Sequence, residues 1–224
     1  MRITHLWKEE NRSEEGRTRM SVIVEEPGGE KTTLWYSIPE KYSSYLTSSM
    51  DPFVLGTLFR AMSGADRMDV HGTVSPSLLT NLEEFQSVWA EWLPDELRRI
   101  DIRAEEEQET TSAEEPGGAL CAFSGGLDAA FTLYKHRMTD TGRRKRDINA
   151  CLFVQGFDIP VDADEVFERV TARNRKMTDS IGIELITMKT NYKAVDVNWR
   201  HSHGLGVGSS LMVLNGGFSE GLIG

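Results

Sequence analysis

The sequence predicts an α/β protein in which a doubly wound parallel sheet is preceded by a small α+β domain. Three observations predict it. From Ala119 onward, short apolar runs alternate with stretches of helical periodicity, the rhythm of strand–helix–strand units. Before residue 104 the pattern is instead a hairpin followed by two helices that open on proline. Between the two, residues 105–117 are acidic and nearly free of apolar side chains, which is linker composition. The predicted organisation is an N-terminal domain over 1–104, a linker over 105–117 and an α/β domain over 118–224.

The N-terminal elements follow in order. Ser21-Val22-Ile23-Val24 and Thr33-Leu34-Trp35-Tyr36 flank Glu26-Pro27-Gly28-Gly29-Glu30, a β-hairpin with a glycine turn. Asp51-Pro52 reads as an N-cap followed by proline at the first helical position, with Phe53, Leu55, Leu58, Phe59 and Met62 as the buried stripe. Ser75-Pro76 repeats the device. Leu78, Leu82, Phe85, Trp89 and Trp92 share a helical face until Pro94. Arg98 to Ala104, with Ile100 and Ile102 alternating, predicts another strand.

In the second part, Ala119 to Phe123 is an apolar strand that meets Ser124-Gly125-Gly126. A helix then begins, with Leu127, Ala130, Phe131 and Tyr134 on one side. Ile148 to Val154 predicts a second strand, Asp162 to Ser180 a helix carrying Val166, Phe167, Val170 and Met177, and Ile183 to Met188 a third strand. Gly208 to Leu214 starts a helix and Gly221-Leu222-Ile223 opens a fourth strand. Doubly wound sheets usually have more strands, so the expectation is of a sheet truncated at its C-terminal side.

Composition narrows the function classes. The formal net charge of −10 argues against broad binding to a nucleic-acid backbone. No run approaches the roughly 20 apolar residues of a membrane span, and Met1-Arg2-Ile3-Thr4-His5 has no signal-peptide core, so a cytoplasmic protein is expected. Cys121 and Cys151 each sit in an apolar run and read as buried thiols.

The chemistry concentrates at Ser124-Gly125-Gly126-Leu127-Asp128. A strand that turns into a helix through two glycines leaves backbone N–H groups unpaired at the helix N-terminus, where the helix dipole favours an anion. Glycine lets the backbone approach a phosphate closely, and Ser124 adds a hydroxyl. No Gly-Lys-Ser or Gly-Lys-Thr follows, so this is not a Walker A loop.

Over residues 117–224 the sequence resembles the PP-loop ATP pyrophosphatase family, the adenine-nucleotide α-hydrolase type, whose signature is Ser-Gly-Gly-X-Asp-Ser. Within it the likeness is nearest to 7-cyano-7-deazaguanine synthase-like proteins of the queuosine type, including relatives from bacterial defence loci. The resemblance implies a PP-loop/HUP-type sheet and an enzyme that cleaves ATP between its α- and β-phosphates. Such an enzyme adenylates a small-molecule carboxylate, which ammonia or an amine then attacks. It also implies that Ser124, Gly125, Gly126, Leu127, Asp128 and Ala129 hold the phosphates, with Asp128 on Mg²⁺. Phe153, Gln155 and Gly156, at the second strand's end, would meet the adenine. Lys193 and Arg200 are the expected cationic partners of the triphosphate, and His201 and His203 the expected substrate contacts. Ala129 departs from the signature, whose last residue is serine. The four-cysteine zinc site of the deazaguanine branch has no counterpart, since no C-x-x-C occurs in the sequence, so Zn²⁺ is expected only if a cysteine cluster lies beyond this chain. The alternative expectation is a non-catalytic ATP- or AMP-binding module whose N-terminal domain binds a protein partner.

Overall fold

The computed structural model describes residues 1–109, 117–196 and 198–224. Most of the predicted linker therefore lies outside the described residues. Among the described residues ten strands form one mixed sheet: β1 (Ile3–Lys8), β2 (Arg12–Glu14), β3 (Arg17–Glu25), β4 (Lys31–Pro39), β5 (Arg67–Val74), β6 (Asp101–Glu107), β7 (Ala119–Ala122), β8 (Ile148–Gln155), β9 (Glu184–Thr190) and β10 (Glu220–Leu222). The helices are α1 (Asp51–Gly64), α2 (Pro76–Trp92), α3 (Leu127–Met138), α4 (Asp164–Asp179), α5 (Tyr192–Val195) and α6 (Trp199–Met212). Strand order is β10-β7-β8-β9-β4-β3-β1-β5-β6, with β2 attached to β3. The architecture is α/β. Among the described residues no helix is long and apolar enough to cross a membrane.

The hairpin forms with Ser21 opposite Trp35 and Val24 opposite Thr32. Alternation along β3 and β4 sends Met20, Val22, Val24, Leu34, Tyr36 and Ile38 to one face, where each is buried. The stripe of α1 is buried there too, through Phe53, Leu58, Phe59 and Met62. Strands β1 and β5 pair in parallel without a hairpin signal in the sequence, and β6 adds to β5. The strand expected at 98–104 is shifted: it runs from Asp101 through Glu107, into the segment with linker composition. Its acidic residues are tolerated because β6 is an edge strand with an exposed face.

Two caps differ from expectation. Asp51 begins α1 rather than capping it, and its carboxylate accepts hydrogen bonds from the Ser75 N–H (2.8 Å) and Oγ (2.6 Å). Ser75 precedes α2 as expected, but its hydroxyl serves this inter-helix link instead of the helix.

The halves predicted as separate domains share one sheet and one core. Strands β4 and β9 pair antiparallel, Tyr36 against Thr190 and Ser37 against Lys189. Beyond that short ladder a side chain continues it. Asn191 Oδ1 accepts from the Trp35 N–H (2.9 Å), its Nδ2 donates to the Thr33 carbonyl (2.7 Å), and Thr190 Oγ1 donates to the Trp35 carbonyl (2.8 Å). The main hydrophobic cluster runs from Leu6 and Phe53 to Leu152, Met188, Leu205 and Leu211. Buried Tyr36 and Ser209 meet within it, Oη to Oγ 2.8 Å. On the opposite face α3 and α4 close a second cluster over β7, β8 and β9, including Phe123, Cys121, Cys151 and Phe167. Both cysteines are free and buried.

Helix α3 turns the other way from the expected face. Ala129 and Leu133 are buried, while Leu127, Phe131 and Tyr134 are 85, 60 and 55% exposed. The small Ala129 lets the first turn lie close to the sheet, and the bulkier stripe is left outward. Helix α6 also begins earlier than expected, at Trp199, so the glycine run Gly204–Gly208 lies inside the helix and not at its N-terminus. A methyl group at Gly206 would sit 2.9 Å from the Tyr192 ring. Close packing against Tyr192 and α1 outweighs the roughly 1 kcal/mol helix penalty of a glycine.

The Asn191 clasp should be measurable. Asn191→Ala removes two hydrogen bonds and strands the Trp35 N–H and Thr33 carbonyl at the seam. A loss of about 2 kcal/mol in urea unfolding is expected. A loss below about 0.5 kcal/mol would show that the short strand pairing holds the halves unaided.

Candidate functional site

Numbered from β7, the parallel part of the sheet has the order 3-2-1-4, as β9-β8-β7-β10. The direction of travel reverses between β7 and β10. In open α/β sheets this is where a crevice forms at the carboxyl ends of the strands. Here a cavity of about 580 Å³ opens at those ends.

The turn after β7 forms one wall. Gly125 has φ +78°, the left-handed region, and a Cβ there would overlap Asn174 Oδ1. Gly126 precedes the first residue of α3 in an extended conformation, and its N–H donates to Ser124 Oγ (3.2 Å). The Ser124 hydroxyl hydrogen remains available to a ligand. Among the described residues nothing accepts a hydrogen bond from the N–H of Leu127, Asp128 or Ala129. Three unpaired donors and the positive end of a three-turn helix therefore face the crevice. Asp128 is exposed beside them.

The turn is braced from below. Asn174, fully buried on α4, donates from Nδ2 to the Ser124 carbonyl (3.3 Å), while its Oδ1 has no partner. Asn174 interrupts the apolar stripe of α4 at the position where Phe167 and Val170 predict another apolar residue. That interruption is the signal by which the sequence could have marked it.

The opposite wall is aromatic. Phe157 and Trp199 lie 5.0 Å apart between ring centroids, and Lys193 Nζ lies 4.9 Å over the Trp199 ring while donating to the Phe157 carbonyl (3.2 Å). His203 packs edge-on against Trp199 and its Nδ1 faces the Arg200 carbonyl (3.1 Å), which leaves Nε2 as the acceptor. Asp158 places a second carboxylate in the lining.

Of the residues expected from the sequence, the structure gathers Ser124, Gly126, Leu127, Asp128, Ala129, Phe153 and His203 around this cavity, with Gly125 behind its turn. Lys193 stands at its aromatic edge. Gln155 does not line it: fully buried, its amide donates to the Pro160 and Val161 carbonyls and to Asp164, fixing the loop after β8. Gly156 packs against the Thr190 carbonyl. Arg200 is exposed and outside the lining, and His201 lies apart, edge-on to Trp89. Once α6 begins at Trp199, the two histidines sit on different sides of one helix. Trp199, Val207 and Ser210, also in the lining, were invisible because a glycine run hid the helix that carries them.

Among the described residues no group of three His, Cys, Asp or Glu side chains is placed to hold a metal ion unaided. The fold and the site together define an α/β protein with a turn of unpaired backbone N–H groups at the carboxyl edge of its parallel strands. No protein-family model, no curated protein and no solved structure matches the chain.

The turn geometry has a direct test. Gly125→Ala should cost about 1–2 kcal/mol for the left-handed backbone and a further overpacking loss of about 1–3 kcal/mol against Asn174. In a double-mutant cycle measured by urea unfolding, Asn174→Ala should recover the second part and not the first. Strictly additive losses would contradict the contact.

Proposed function

We propose that this protein is a PP-loop-type enzyme that binds ATP with Mg²⁺ in the cavity at the β7–α3 turn. Its reaction is the adenylation of a small-molecule carboxylate with release of pyrophosphate, followed by attack of ammonia or an amine and departure of AMP. The observation that carries the reading is the Ser124–Asp128 turn: three unpaired N–H groups and a free hydroxyl at one end of a cavity of about 580 Å³. Helix-dipole and N–H donors stabilise charge on a departing pyrophosphate without rearranging. The aromatic wall of Phe157 and Trp199, with Phe153 nearby, offers faces for a purine. Asp128 and Asp158, both in the lining, would hold a divalent cation, which would supply charge neutralisation for the phosphates. The chain's own part is to hold the phosphates by backbone donors and the base by stacking.

A second reading, a binding module without catalysis, is favoured by one observation. Among the described residues the cavity is lined by no lysine or arginine, and Lys193 is engaged with Trp199 and the Phe157 carbonyl at the edge. Ala129 adds to this, being packed into the core cluster under α3.

Two measurements separate these. ATP with Mg²⁺ at 100 times Kd should stabilise the protein by about 2.7 kcal/mol, seen as a rise in Tm, and Gly126→Val should remove the effect. No shift at millimolar ATP would sink both readings. Pyrophosphate release from ATP with a carboxylate acceptor distinguishes enzyme from module. Ala129→Ser restores the family hydroxyl and, where the new oxygen reaches the phosphates, tightens binding by up to about 1–2 kcal/mol. ATP bound with no release in wild type or Ala129→Ser would leave the module as the function.

A further inference from the structure

Where the two halves join, the sheet face beyond α4 forms a corner, and a second cavity of about 440 Å³ lies in it. Its wall draws Arg17 from β3, Thr187 and Lys189 from β9, and Asp164, Thr171 and Arg175 from α4. It is separate from the crevice at the β7–α3 turn, with which it shares no lining residue.

The charges in this corner leave a net positive excess. Lys189 Nζ lies 2.6 Å from Asp164 Oδ1, so those two largely satisfy one another. Arg17 spends Nε and Nη2 on the Ser37 hydroxyl (3.0 Å) and carbonyl (2.6 Å), and among the described residues it makes no ion pair. Burial lowers its pKa from the ordinary arginine value, the Asp164 carboxylate offsets part of that, and the guanidinium stays charged. Arg175 also makes no ion pair among the described residues. The wall holds Asp164 and Glu168 against Arg17, Arg175 and Lys189, one positive charge in excess. Hydroxyls accompany them. Thr171 Oγ1 is buried with no hydrogen-bond partner, and Thr187 is 8% exposed. A partly buried guanidinium that shares its nearest carboxylate, Asp164, with Lys189 and a buried hydroxyl without a partner are each unfavourable in the empty protein, and one ligand would satisfy both.

We propose that this cavity binds a small anion through a carboxylate or phosphate group, held by the free Nη1 of Arg17 and by Arg175, with the unpaired Thr171 hydroxyl turning about its Cα–Cβ bond to donate. Arginine suits either group because its planar fork matches two oxygens at once. Because the lining comes from β3 and from α4, an occupied site would clasp the two halves together across the β4–β9 seam.

Titration calorimetry on the full chain, with inorganic phosphate in one arm and malonate in the other, tests this. One anion per chain is expected, with affinity falling as salt rises. Phosphate alone, or malonate alone, would name the class of the natural ligand. Arg17→Gln should weaken binding roughly tenfold or more, and Thr171→Val roughly fivefold. Thr171→Val is near-isosteric and removes a hydroxyl that bonds to nothing in the protein, so its fold should be unaffected. Ser124→Ala, at the other cavity, should leave the affinity unchanged. The proposal is overturned if neither anion binds at 10 mM (about the weakest affinity that calorimetry resolves), if both variants bind as the wild type does, or if binding follows Ser124 instead of Arg17.

Discussion

The structure depends on a very short seam. Two antiparallel residue pairs join β4 to β9, and the side chains of Thr190 and Asn191 extend that ladder along the β4 backbone. Without the seam, the hairpin half would end in an exposed, flat edge strand, and the parallel half would end at β9 with its own row of unpaired groups. Joining them removes both edges at once. It also brings α1 and α6 onto the same face, so one apolar cluster runs under both halves. The asparagine works here because its amide carries one acceptor and two donors, the same complement as a peptide unit.

The position of the candidate site follows from that frame. The seam fixes β9, and β9 aligns β8 and β7 in parallel register, so the carboxyl ends of the three strands share one edge. At this edge the turn into α3 is forced to be tight, and Asn174 beneath it selects glycine at position 125. The free N–H groups are a consequence of the same tightness, since a helix that starts at Leu127 immediately after an extended Gly126 has no preceding carbonyls for them. Backbone geometry, not a charged side chain, makes the turn attractive to an anion. That is why the absence of lysine and arginine from the lining, among the described residues, is compatible with phosphate binding and yet bears on whether chemistry follows.

The walls of both cavities include polar groups that have no partner among the described residues: N–H groups in the first turn of α3, and the Thr171 hydroxyl in the corner between Arg17 and α4. The two cavities flank α4 on either side. Val170 faces the first cavity while Thr171 and Arg175 face the second. A single helix, seated on β8 and β9 through the stacked rings of Phe153 and Phe167, therefore forms a wall of both.

The sequence by itself determined the α/β class, the hairpin at Ser21–Tyr36 and the strand that turns into a helix through Ser124-Gly125-Gly126. These rest on local rules: alternation, proline at helix starts, and glycines where a strand must bend sharply. Tertiary structure alone decided the rest. Periodicity reports that a helix has an apolar stripe but not which side meets the sheet, so α3 buries Ala129 and Leu133 and leaves Phe131 outside. Propensity places glycine-rich Gly204–Gly208 outside a helix, and only the nearness of Tyr192 makes it helical there. The parallel strand β1, the strand run of Glu105–Glu107 and the union of two apparent domains depend on partners far away in the chain. Long-range hydrogen-bond pairing leaves no local mark, and for that reason the seam on which the fold rests could not be read from either strand alone.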